Sequence, residues 1–113
     1  MKNRMSSDLR SLAGVDRLLH EPSRTVIMAI LTAVESADFL YLQRETGLTK
    51  GNLSVHLSKL EQAGFVNIEK TYRGKKPLTL CHMTEEGRNA FAAYRKQIQQ
   101  FVENTKESSH AHS

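Results

Sequence analysis

The chain is poor in cysteine, in long apolar runs and in aromatic residues, and each shortage closes off a class of protein. A single cysteine, Cys81, leaves no internal disulfide to be made, so a disulfide scaffold is excluded and a reducing compartment is the natural setting. No apolar run approaches the roughly 18 residues needed to span a bilayer, and no signal peptide opens the sequence. A cytoplasmic protein without membrane contact is therefore expected. Aromatic residues make up 6% of the chain, and the stacking residues typical of single-strand RNA readers are missing from the expected surface. Catalytic signatures are missing too: there is no phosphate-binding glycine loop, no nucleophile elbow and no carboxylate pair in an unusual context. Neither an enzyme nor a cofactor is expected.

What is present is ordinary globular material with an uneven charge. With 113 residues, 39% hydrophobic and 25% charged, the composition fits one soluble domain spanning 1–113 with a core of its own. The net charge of +4 lies within residues 49–76, which hold six bases (Lys50, Lys59, Lys70, Arg73, Lys75, Lys76) against two acids (Glu61, Glu69). Elsewhere bases and acids cancel. A patch of this kind suits a polyanion and equally a solvated basic face.

Periodicity divides the chain. Leu9, Leu12, Val15, Leu18 and Leu19 suggest an amphipathic helix from Asp8 to His20, weakened by Gly14. Pro22 breaks it and opens a second helix, whose core stripe is Val26, Ile27, Ile30, Leu31 and Val34. Asp38 can cap a short helix from Phe39 to Thr46, with Gly47 as its left-handed stop. Thr49 can cap the next, from Lys50 to Ala63, in which Leu53, Leu57 and Leu60 face the core. Its opposite face carries Lys50, Asn52, Ser54, Val55, His56, Ser58 and Lys59. After Gly64 the period changes to two: Val66 and Ile68, then Leu78 and Leu80, mark strands joined by a polar hairpin tip, Tyr72 to Pro77. Thr84 caps a last helix to about Glu103, striped with Phe91, Tyr94, Ile98, Phe101 and Val102, before a polar tail from 104 to 113.

Two short helices hinged at Gly47 and followed by a basic hairpin make an α+β winged helix-turn-helix, with the helix pair at about 39–63, a two-stranded wing at about 65–83 and a C-terminal helix at about 84–103. A major groove about 12 Å wide admits one helix, and base edges require short donors and acceptors on its exposed face. Thr49, Lys50, Asn52, Ser54, His56, Ser58 and Lys59 supply these. At the tip Arg73, Lys75 and Lys76 crowd together, a repulsion that phosphates would neutralise, while Gly74 permits close approach to a sugar-phosphate backbone. For Lys59 and Lys70 a phosphate ligand and an ordinary surface lysine fit the pattern alike.

The run Leu40–Ser54, the segment His56–Val66, the tip Arg73–Pro77 and Thr84–Arg88 together resemble the winged-helix transcriptional regulators of the MarR and ArsR type, especially the small single-domain members, over about residues 15–98. The resemblance implies DNA binding as a homodimer in the cytoplasm, most often as a repressor. The rival reading is a winged-helix module that binds protein, but such a face should expose apolar residues rather than short polar ones. The terminal helices, through Leu9, Leu12, Phe91, Tyr94, Ile98, Phe101 and Val102, are expected to form the dimer interface, because the last helix should outrun the core. There is room at such an interface for a small-molecule effector, but no residue set announces one.

Other residues are expected to be structural. Tyr72 should pack its ring at the base of the wing. Cys81 and His82 point to opposite faces of a strand, so they do not chelate one ion, and zinc spacing is absent. No basic neighbour is placed to activate the Cys81 thiol. His20, beside Asp16 and Glu21, should hydrogen-bond locally, and His110 and His112 lie in the polar tail.

Overall fold

The computed structural model describes residues 15–106. In chain order these form α1 (Pro22–Ala33), β1 (Ala37–Asp38), α2 (Phe39–Thr46), α3 (Lys50–Gln62), β2 (Val66–Arg73), β3 (Lys76–Met83) and α4 (Glu85–Asn104). The sheet is antiparallel with order β1-β3-β2. Leu9, Leu12, His110 and His112 lie outside the described residues.

The caps form as the sequence predicts. Asp38 accepts from the Tyr41 amide at 2.7 Å, Thr49 from Asn52 at 3.1 Å and Thr84 from Gly87 at 2.9 Å, each satisfying an amide that its helix leaves orphaned. Gly47 adopts φ 71°, and its amide donates to the Gln43 carbonyl. Between these ends Leu42, Leu53, Leu57 and Leu60 turn inward, joining Leu19, Ile27, Met28, Leu31, Val66, Cys81 and Phe91 in one core. The leucine spacing of α3 thus fixes which face is left outside.

Several expectations fail. Residues 15–20 are turns and bends rather than the end of a helix, because the Asp16 carboxylate accepts from the Leu18 and Leu19 amides and so competes with helical bonding. In α1 Val26 is exposed, and Met28 and Arg24 are buried in its place. Ala37 and Asp38, expected only to lead into a helix, also form β1, pairing with Cys81 and Leu80 of β3. The sheet therefore has three strands, not two. His20 bonds locally only through its amide, which donates to the Asp16 carbonyl at 2.8 Å, while its ring hydrogen-bonds the Tyr94 hydroxyl of α4 at 2.9 Å.

On α4, Phe91 and Tyr94 are buried in this chain's own core, leaving little surface for a partner. Covering by the described residues thins out beyond them: Ile98 and Phe101 stay half-buried, and Val102 is 55% exposed.

Candidate nucleic-acid interface

Because Leu53, Leu57 and Leu60 are inside, Lys50, Gly51, Asn52, Ser54, Val55, Ser58 and Lys59 of α3 are all exposed, as is its cap Thr49. Short donors and acceptors thus share a face with one aliphatic group, Val55, whose chemistry suits a thymine methyl. His56 departs from that pattern. Its ring is half-buried, and Nδ1 lies 3.0 Å from Arg24 Nη1 and 3.5 Å from Glu21 Oε2. Glu21 is the N-cap of α1 and accepts from the Ser23 and Arg24 amides. Burial alone would raise its pKa, but those two amides, together with the neighbouring His56 and Arg24, hold the carboxyl below its usual value.

The wing tip is tighter than the sequence suggests. Arg73 pairs with Lys76, so only Gly74 and Lys75 form the turn. Gly74 has φ 65° and Lys75 no positive φ, the pattern of a type II′ hairpin, which requires glycine first. Pro77 is tolerated in β3 because β1 ends its pairing at Leu80, leaving the proline without a donor to supply on that side. Arg73, Gly74, Lys75 and Lys76 are all exposed.

A groove of about 850 Å3 separates α3 from the wing, floored by Phe39, Leu57, Ile68 and Leu78 and rimmed by Lys50, Ser54 and Lys70. Lys70 is thereby set beside the exposed face of α3, whereas Lys59 does not line the groove. Tyr72 shares its sheet face with Ile68 and Lys70 by strand alternation. It is 70% exposed rather than packed at the base of the wing, because that face has run past the core by this point. Leu40, at the start of α2, is a large apolar group that is exposed and lines the groove.

The sequence model of the winged helix DNA-binding domain family matches residues 23–102, which takes in α1, both helices of the helix pair, the wing and most of α4. The chain belongs to that family. Among proteins similar to this winged helix chain, an uncharacterized protein of Methanocaldococcus jannaschii is 36% identical over 88 residues, covering 78% of this chain and 96% of its own. A transcriptional regulator homologue from Pyrococcus horikoshii OT3 superposes with a TM-score of 0.81 at 25% identity, over 89% of this chain and 99% of that one. A MarR-family transcriptional regulator structure from Enterococcus faecalis V583 shares the fold, with a TM-score of 0.65 at 19% identity over 88% and 86% of the two chains. Family and fold are those of transcriptional regulators rather than of enzymes.

In this winged helix domain Cys81 sits fully buried at the heart of the sheet. Burial, then the nearby Glu61 and Asp38 carboxylates, push its thiol up to about 11. It is therefore a protonated core residue at neutral pH. No described helix is long and apolar enough to cross a membrane.

Proposed function

We propose that this chain is a transcriptional regulator that binds duplex DNA sequence-specifically in the cytoplasm, as a homodimeric repressor on a palindromic operator. The observation that carries the reading is a helix face of short polar groups that shares one groove with the wing strands and Lys70, in a chain whose hairpin tip is exposed and basic. Thr49 and Lys50 stand at the helix start, where a reading helix enters the major groove, with Asn52, Ser54 and Ser58 toward base edges. Lys59 and the tip residues Arg73, Lys75 and Lys76 take phosphates. Gly74, free of a side chain, allows the backbone to lie close. Repression follows most simply, since a dimer seated on a promoter excludes polymerase by occupancy alone.

Asn52→Ala or Ser54→Ala should cost about 1–3 kcal/mol on the preferred duplex where the lost contact is bidentate, with little change on random duplex. Titration of both variants against a duplex selected from a random pool and against unselected DNA measures the split. Equal losses on the two would move these residues to the phosphate contacts, and absence of retention on a DNA column at low salt would leave the protein-binding reading in its place.

The dimer is supported by the end of α4, where Ile98, Phe101 and Val102 form an apolar stripe that the described part of the chain covers only in part. Packing of this stripe about a two-fold axis would set two α3 helices roughly 34 Å apart, one turn of duplex. Ile98→Asp with Phe101→Asp should convert a dimer to a folded monomer by light scattering, with a steep loss of DNA affinity. A wild type that is monomeric at tens of micromolar would overturn the dimer.

A further inference from the structure

Arg24 is a cation in an unusual place. Its residue is only 9% exposed, on the first turn of α1. Burial of a guanidinium is costly unless its donors are used, and two of them are: Nε donates to the Leu18 carbonyl at 2.6 Å and Nη1 donates to His56 Nδ1 at 3.0 Å. Glu21 Oε2 lies 3.7 Å from the same Nη1. Arg24 thus joins α1 to the exposed helix α3 through one imidazole nitrogen.

Arginine has donors only and does not deprotonate in proteins. A nitrogen accepting from it must present a lone pair, so a neutral ring has to carry its proton on the other nitrogen. Glu21 exerts the opposite pull, since a carboxylate favours a proton on Nδ1. Distance decides between them: 3.0 Å is a hydrogen bond and 3.5 Å is not. The carboxylate is also already accepting the Ser23 and Arg24 amides at 3.0 Å each. The ring's far nitrogen, Nε2, has no hydrogen-bond partner among the described residues, and the side chain keeps 19% of its surface. His56 follows Asn52 by four positions, so the two share a flank of α3.

We propose that Arg24 is a positioning residue that locks His56 in the Nε2–H tautomer, so that α3 presents a fixed hydrogen-bond donor to DNA beside Asn52. The role of the donor rests on the DNA-binding reading above; the tautomer does not. Without Arg24 the ring would be free to donate from Nδ1 to Glu21 and to show DNA an acceptor, which phosphate oxygens and the purine N7 repel.

The tautomer is read directly from long-range 1H–15N correlation spectra of the full chain at pH 8, where imidazoles are neutral. The wild type should show His56 protonated on Nε2. Arg24→Lys, which keeps a donor, should preserve that pattern, and Arg24→Met should move it toward Nδ1–H. A wild-type spectrum with the proton on Nδ1 overturns the proposal without need of any variant, even if Arg24→Met does not fold.

The donor is tested on a duplex selected from a random pool. His56→Gln, whose amide can stand in for Nε2–H, should bind within about threefold of wild type, whereas His56→Ala should lose about fivefold to tenfold, the worth of one hydrogen bond. Equal binding by His56→Ala and wild type overturns the donor role. A wild type that binds no duplex overturns the functional reading and that role with it, while the spectra still decide the tautomer.

Discussion

Replacement of Arg73, Lys75 and Lys76 together by alanine should weaken binding to every duplex nearly alike and flatten its dependence on salt. Each phosphate contact releases condensed counterions, so each one lost should reduce the log–log salt slope by about 0.9. In the proposed dimer, which would carry two wings, the loss would be counted over both. No other single region can have an effect of this size, because three of the six bases in the basic quarter of the chain sit on this one tip. The variant should fold normally: all three side chains are exposed, and the turn depends on the positive φ of Gly74, which is untouched. Titrations at several salt concentrations check it, and an unchanged slope would remove the wing from the interface.

Gly87→Ala should be the most damaging small substitution in the fold. Gly87 lies in the first turn of α4, pressed against the backbone of Phe65 at the entrance to the wing. A Cβ there would overlap the Phe65 carbonyl, and that neighbour is backbone rather than a side chain able to swing away. The junction is further pinned from Thr84, whose amide donates to the Phe65 carbonyl at 3.0 Å and whose hydroxyl donates to the Gly64 carbonyl at 2.6 Å. Helix propensity alone favours alanine by about 1 kcal/mol, but overpacking against a fixed backbone should reverse the sign and cost about 1–3 kcal/mol net. Gly51→Ala is the control. Its Cβ would meet nothing within 4 Å, so it should raise the denaturation midpoint where Gly87→Ala lowers it.

Much of this architecture is legible in the sequence because it is written in local signals. Asp38, Thr49 and Thr84 cap helices within three residues of themselves, and Gly47 ends one where it stands. The exposed face of α3 is legible as the complement of Leu53, Leu57 and Leu60. What escapes is whatever depends on residues far apart in the chain. Arg24 reads as a surface cation until Leu18 and His56, six and 32 positions away, are brought to it. A two-residue strand such as β1 has no periodicity to read. Tyr72 alternates correctly for an inward residue, and only the length of the sheet relative to the core puts it in water. Val26 fails similarly, since an apolar stripe on a helix does not say where the covering layer stops.

Asp38 belongs to two structures at once: it pairs with Leu80 in the sheet and caps α2 through the Tyr41 amide. The helix pair and the hairpin are consequently not separate arms on a hinge but one casting, joined at the strand that runs up to the wing tip. A body built in this way acts as a caliper. On the proposed DNA-binding reading, the separation between its helix and its tip would be set before any duplex arrives, so the cost of a mismatch would fall on the DNA, which would have to bend or change its groove width to touch both. Sequences that deform cheaply would then be favoured even at base pairs no side chain reaches.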